Sequence, residues 1–165
     1  MGGGNIILIG MPGAGKSTVG VVLAKKLGYA FVDSDLVIQA KEGRLLYEII
    51  AERGIEGFWS AEEEVNISID ADRTVIATGG SVVYGSRAME HFKQMGTVIY
   101  LQLSCDAIAD RLGNLNERGV TLRDGQGLEE LYAERVPLYE KYADTTVNCE
   151  HLTIREIVEQ IVQGL

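Results

Sequence analysis

Apolar and polar positions follow two rhythms along the chain. Short apolar or β-branched runs at 5–9 (Asn-Ile-Ile-Leu-Ile), 29–33, 74–78, 98–103 and 145–148 read as strands. Between them lie stretches with helical spacing. Residues 18–28 predict a helix closed by Gly28, and a second helix follows Asp33-Ser34-Asp35 and runs through Ala40. Leu45 to Arg53 predicts a third, stopped by Gly54. Glu56 to Ile69 predicts a fourth, with Phe58, Ala61, Val65 and Ile69 near one face. Further helices are expected from Ser86 to Gln94, over 105–112, from Leu128 to Tyr142 with an interruption at Pro137, and from Thr153 to Val162. Thr153 and Glu156 form a capping box for the last.

Strands alternating with helices predict an α/β fold with a five-stranded parallel sheet covered on both faces, in one domain spanning 1–165. The helices between the second and third strands, with no strand among them, predict an inserted acceptor-binding subregion at about 34–70. The polar, glycine-rich stretch at about 113–127 is too long for a simple turn and predicts a mobile lid.

Composition narrows the class. Hydrophobic content of 46% and charged content of 24% are ordinary for a globular protein. A net charge of −9 argues against nucleic acid or an anionic membrane as partner. No apolar run approaches the ~20 residues that span a bilayer. The start, Met1-Gly2-Gly3-Gly4-Asn5, lacks the basic flank and apolar core of a signal peptide, so a cytoplasmic location is expected. Cys105 and Cys149 form no metal spacing and read as buried, inert thiols in a reducing compartment.

The chemistry begins at Gly10-Met11-Pro12-Gly13-Ala14-Gly15-Lys16-Ser17. This is G-x-x-x-x-G-K-S, the phosphate-binding loop of the P-loop NTPases, set between a predicted strand and a predicted helix. Its glycines let the backbone curl around an anion, and the helix N-terminus adds partial positive charge. Gly13, Ala14, Gly15, Lys16, Ser17 and Thr18 are thus the candidate nucleotide-binding residues. Lys16 can reach the β- and γ-phosphates of ATP, and Ser17 offers a hydroxyl to Mg²⁺. Asp33 and Asp35 flank Ser34 at a neighbouring strand end. One can help hold Mg²⁺ while the other orients an acceptor hydroxyl and takes its proton; alternatively the segment only caps the next helix. Gly79-Gly80 follow the third strand, where other P-loop proteins place an acid. Glycine there admits a ligand close to the backbone, or merely makes a tight turn. Arg111, Arg118, Arg123 and Arg135 lie in or around the expected lid, and guanidinium forks suit phosphate and carboxylate alike. His91 and His151 have no partners at ligand spacing and read as surface residues.

Taken together, these residues resemble the shikimate kinases, small members of the nucleoside-monophosphate-kinase group. The resemblance covers nearly the whole chain through G-M-P-G-A-G-K-S, F-V-D-S-D, I-A-T-G-G and E-R-V-P-L-Y-E-K-Y-A-D. It implies a three-layer P-loop fold and ATP- and Mg²⁺-dependent phosphorylation of shikimate to shikimate 3-phosphate, in aromatic amino-acid biosynthesis. It implies a small-molecule acceptor as the main partner and a monomer or weak homodimer. By the same resemblance Asp33 lies near Mg²⁺, and Asp35 binds the acceptor as base. Gly79 and Gly80 contact the acceptor and Arg135 its carboxylate. Arg118 meets the transferring phosphate, and Arg111 the adenine.

Three departures bear on the acceptor. The family's F-R-x-x-E is Phe58-Trp59-Ser60-Ala61-Glu62, so Trp59 takes a substrate-binding position where Arg is expected. The third Gly of G-G-G is Ser81. The lid's R-P-L-L aligns with Arg118-Gly119-Val120-Thr121, so Arg123 competes with Arg118. Arg135 can hold a carboxylate alone or with Arg44 or Arg53 standing in for the missing guanidinium. Trp59 can instead shape the pocket for a changed acceptor such as homoserine, or simply pack a helix face. A nucleotide-binding module without catalysis is a third reading, against which Lys16, Ser17, Asp33 and Asp35 weigh.

Overall fold

A computed structural model describes residues 4–112 and 125–165. Parallel strands β1 (Asn5–Ile9), β2 (Ala30–Asp33), β3 (Thr74–Ala77), β4 (Gly96–Gln102) and β5 (Thr145–Asn148) form one sheet in the order β2-β3-β1-β4-β5. The apolar runs explain that order. Every residue of β1 and β3 is buried, as strands covered on both faces require, whereas β2 and β5 are partly exposed edges. Helices α1 (Lys16–Leu27), α2 (Ser34–Glu42), α3 (Leu46–Ser68), α4 (Ser86–Met95), α5 (Cys105–Arg111), α6 (Leu128–Tyr142) and α7 (Ile154–Gln163) complete the α/β fold. A 3-10 turn, Val82–Tyr84, precedes α4.

Local chemistry sets most boundaries where the sequence places them. Gly28 ends α1 in a left-handed conformation, its N–H donating to Ala24 O. Gly54 adopts φ 75° and ψ 177°, non-helical values that break the α3 span into two helical segments where the sequence places the stop. Thr153 and Glu156 cap α7 reciprocally, at 3.2 and 3.1 Å.

Three expectations change. Pro137 does not interrupt α6, which runs unbroken from Leu128 to Tyr142. Packing supplies the reason: Leu131, Arg135 and Tyr139, on one face at four-residue spacing, are all buried and hold both sides of the proline in register. His91 is not a bare surface residue; half-buried, its Nε2 lies 2.7 Å from Ile69 O. Cys149 is buried, but Cys105 is only partly so. The expected lid at 113–127 falls mostly outside the described residues, and with it Arg118 and Arg123.

The amino ends of the strands are tied by one side chain. Asn5, 3% exposed, donates to Ala71 O at 2.8 Å and Met95 O at 3.1 Å, and its Oδ1 accepts from Thr74 N at 3.0 Å. This amide clamps β1, the start of β3 and the end of α4 together, which leaves the opposite edge for ligands. Asn5→Ala would strand a donor and two acceptors. We expect it to lower the unfolding free energy by about 1–3 kcal/mol, read as a lower urea midpoint, without changing the fold; an unchanged midpoint would show that the clamp is dispensable.

Candidate functional site

The carboxyl ends of β1, β2 and β3 converge on a cavity of about 330 Å³. One wall is the loop between β1 and α1. Gly13 and Gly15 have φ of 82° and 92°, in the left-handed region where glycine is favoured. Gly15 also caps α1, and no side chain competes for the helix's first amide groups. Ala14 is buried and its N–H donates to Met11 O at 3.1 Å, closing the curl. The result is a main-chain cradle at the positive end of a twelve-residue helix, suited to an anion.

Lys16 lines this cavity at 8% exposure. Its Nζ donates to Gly10 O at 2.7 Å and Met11 O at 2.8 Å, folded back across the loop. Burial above all lowers its pKa to about 8, with Arg135 adding to the effect and Asp35 and Asp33 opposing it. An arriving polyanion would restore the full charge. Ser17 and Thr18 lie alongside. Arg111 reaches over the same loop, its Nη1 donating to Gly13 O at 3.3 Å and Ala14 O at 3.4 Å.

Asp33 and Asp35 prove to do different work. Asp33 is the N-cap of α2: its Oδ1 accepts from Asp35 N at 3.0 Å. Its Oδ2 accepts from Ser17 Oγ at 3.0 Å. Capping and a place beside the phosphate loop are therefore both true of one residue. Asp35 faces the cavity, and burial, then the neighbouring Asp33, raises its pKa to about 6 against the pull of Lys16.

The far wall is the turn after β3. Thr78 fastens it, donating from N and Oγ1 to Leu8 O at 3.2 and 2.8 Å. A Cβ on Gly79 would lie 2.6 Å from Asp35 Oδ1, and one on Gly80 would lie 2.8 Å from Arg135 Nη1. The two glycines thus leave room for a carboxylate and a guanidinium to enter one cavity. Arg135 is 1% exposed, its Nε donating to Tyr84 Oη at 3.4 Å and its guanidinium carbon 5.4 Å from the Tyr84 ring centre. One turn along α6, Tyr139 donates to Gly80 O at 2.6 Å and pins the helix to the turn.

The described residues that line the cavity do not include Trp59. Trp59 stacks on Tyr84 instead, ring centres 4.2 Å apart, and the Arg135 guanidinium lies over the same tyrosine ring. Arg44 and Arg53 do not line it either; they form surface ion pairs with Glu52 and Glu42. Tyr139 and Glu62 stand in the segments that carry the family resemblance, but sequence reasoning gave neither a role. The four-residue step from Arg135 could have revealed Tyr139. Glu62 is a cavity-lining carboxyl of 2% exposure, on the same helix face as Phe58 and Val65. Among the described residues no group of three or more acids, histidines or cysteines forms a metal cage, and no helix is long and apolar enough to cross a membrane.

Known proteins share this arrangement of strands and loop. A shikimate kinase from Thermodesulfovibrio yellowstonii is 39% identical over 162 residues, covering 96% of this chain and 93% of that protein. The structure of a shikimate kinase from Acinetobacter baumannii in complex with shikimate matches with a TM-score of 0.82 at 31% identity, over 97% of this chain and 91% of the other. A shikimate kinase structure from Aquifex aeolicus matches with a TM-score of 0.84 at 30% identity, over 97% and 95%. The sequence model of the shikimate kinase family covers residues 12–165. With its phosphate loop opening onto a cavity that also holds a carboxylate and a buried guanidinium, this chain belongs to the shikimate kinase family, small-molecule kinases that transfer phosphate to a hydroxyl.

Proposed function

We propose that the protein transfers the γ-phosphate of ATP to a hydroxyl of shikimate, giving shikimate 3-phosphate and ADP. One observation carries this reading: a single cavity joins the Gly13–Thr18 loop to Asp35 and to Arg135. The loop amides and Lys16 take the nucleotide phosphates, and Arg111 lies where it can cover the nucleotide. Arg135, held against Tyr84, takes the acceptor's carboxylate; a charge-assisted hydrogen bond of this kind contributes about 1.5–3 kcal/mol. Gly79 and Gly80 let the acceptor approach the backbone. Asp35 orients the reacting hydroxyl and accepts its proton as the new P–O bond forms and the bond to ADP breaks. Arg118 is assigned to the transferring phosphate by its place in the sequence alone. Trp59 acts on the acceptor through Tyr84 and Arg135.

Ser17 and Asp33 would hold Mg²⁺. They offer hard oxygen donors and are already in contact. So small a protein donor set fits an ion that keeps several waters and shares phosphate oxygens. When bound, that ion supplies charge neutralisation of the phosphates. Residues 34–70 form the acceptor-binding subregion, the chain acts as a monomer or weak homodimer, and the cytoplasm is its place of work. Whole-length relatives named shikimate kinase count against the homoserine alternative and against a non-catalytic module.

Coupled ADP-release assays with shikimate, homoserine and no acceptor test the reaction. Turnover is expected with shikimate; turnover with homoserine only, or with none, would overturn the assignment. Lys16→Ala should reduce kcat by a factor of about 100 or more with the circular dichroism spectrum unchanged. Undiminished turnover would remove Lys16 from the transfer. Asp35 works as base in its charged form, so its pKa of about 6 sets the acid limb: turnover should fall as pH drops through 6. Asp35→Asn should lower turnover by a factor of about 100 or more and leave ATP affinity within a factor of about three. An acid limb that survives in the residual activity of Asp35→Asn would assign that limb to another group.

A further inference from the structure

A buried guanidinium serves a ligand only when its plane is aimed. Arg135 reaches the cavity beside Gly80, where a built Cβ would lie 2.8 Å from Nη1. Another corner of the same group turns to Tyr84. Nε donates to Tyr84 Oη at 3.4 Å, and the guanidinium carbon lies 5.4 Å from the centre of the Tyr84 ring. The guanidinium nitrogens form a rigid planar fork. A bond at Nε therefore sets the direction in which Nη1 enters the cavity.

Tyr84 is itself fixed by two neighbouring elements. It is half-buried in the 3-10 turn before α4. Its ring stacks on Trp59 of α3, with centres 4.2 Å apart and planes 21° apart. Its hydroxyl donates at 2.8 Å to Oε2 of Glu134, the residue before Arg135 on α6. That Glu134 oxygen also accepts from Gln126 Nε2 at 3.1 Å. Burial raises the Tyr84 pKa, with Arg135 opposing and Glu134 assisting, so the phenol stays neutral. Its single proton is committed to Glu134, which leaves an oxygen lone pair for Arg135.

This contact holds a cation with a dipole. A carboxylate in the place of the phenol would neutralise the guanidinium and weaken its hold on an anionic ligand. The phenol restrains the group and leaves its charge for the ligand. Donation to Glu134 also polarises the phenol oxygen, which makes it a better acceptor for Nε. Trp59 is not among the described residues that line the cavity, and the Tyr84 ring gives it a route to the site.

We propose that Tyr84 is a positioning residue for Arg135, orienting the guanidinium toward the acceptor's carboxylate, and that Glu134 and Trp59 hold Tyr84 for that task. This rests on the acceptor reading above. Tyr84 touches no substrate, so its removal acts on acceptor binding and spares the nucleotide side.

Steady-state kinetics test the consequence. Tyr84→Phe keeps the ring on Trp59 and deletes the oxygen between Glu134 and Arg135. It should raise the KM for shikimate about 5- to 30-fold and leave kcat and the KM for ATP within a factor of about three. With the analogue that carries a hydroxymethyl group in place of the carboxylate, kcat/KM of wild type and Tyr84→Phe should agree within a factor of about two. Trp59→Ala should raise the KM for shikimate about 3- to 10-fold, and Trp59→Phe, which keeps a stacking ring, should restore it to within a factor of about three. In a Tyr84→Ala background, Trp59→Ala should add less than a factor of about two. An unchanged KM in Tyr84→Phe, or a penalty that persists with the uncharged analogue, overturns the proposal. Full additivity of the Trp59 and Tyr84 variants overturns the part given to Trp59.

The positioning is also read without any acceptor. In ¹⁵N NMR the Arg135 Nε–H should exchange slowly with solvent, and about tenfold or more faster in Tyr84→Phe. A ring that only fills space would give equal rates, because phenylalanine fills the same space. Equal rates therefore overturn the role of Tyr84 whatever the acceptor is. Wild-type protein that never turns over shikimate overturns the acceptor assignment; an exchange rate that still responds to Tyr84→Phe then upholds the positioning of Arg135.

Discussion

The hydrogen bond from Ser17 Oγ to Asp33 Oδ2 joins two halves of the site that the sheet keeps two strands apart. Ser17 belongs to the first turn of α1, behind β1, and Asp33 ends the edge strand β2. The bond at 3.0 Å holds the phosphate loop against the start of α2. Asp33 uses its other oxygen to cap that helix, and the cap sets the direction in which Asp35 leaves the backbone. Nucleotide side and acceptor side are thereby registered through one carboxylate. A parallel sheet makes this possible, because every strand delivers its carboxyl end to the same edge.

Close approach is the second constraint. The cavity exists because Gly79 and Gly80 carry no side chain where Asp35 and Arg135 enter. Those charges tolerate burial because each is answered. Lys16 rests on two loop carbonyls, Asp35 lies in the field of Lys16, and Arg135 is backed by Tyr84, which Trp59 supports in turn. The raised pKa of Asp35 and the lowered pKa of Lys16 share one origin, withdrawal from water beside an incompletely neutralised partner. Groups poised in this way are common where proton transfer and anion binding occur.

Much of this was legible in the sequence, for identifiable reasons. The phosphate loop is local: its glycine spacing fixes its backbone without help from distant residues. The five strands were legible because continuous apolar runs mark buried parallel strands, and Gly28 and Gly54 because glycine punctuates helices. Long-range packing was not legible. Pro137 looks like a helix breaker until Arg135 and Tyr139 are seen buried on either side of it. Trp59 reads as a pocket residue from its motif position, and its stacking on Tyr84 was not foreseen, because Tyr84, in a short 3-10 turn, gave no periodic signal. Glu62 was visible as the last residue of the Phe58–Glu62 segment but received no role, since helical spacing alone does not separate a buried Glu from the exposed ones beside it.

The central claim is geometric: one cavity seats a nucleotide's phosphates on the loop amides and an acceptor hydroxyl against Asp35. The most direct test is a crystal structure of the protein with ADP and shikimate bound together. The account predicts the β-phosphate within hydrogen-bond distance of the Gly13–Thr18 amides, a shikimate hydroxyl on Asp35 and its carboxylate on Arg135. Shikimate bound away from Asp35, or phosphates seated outside the loop, would contradict it.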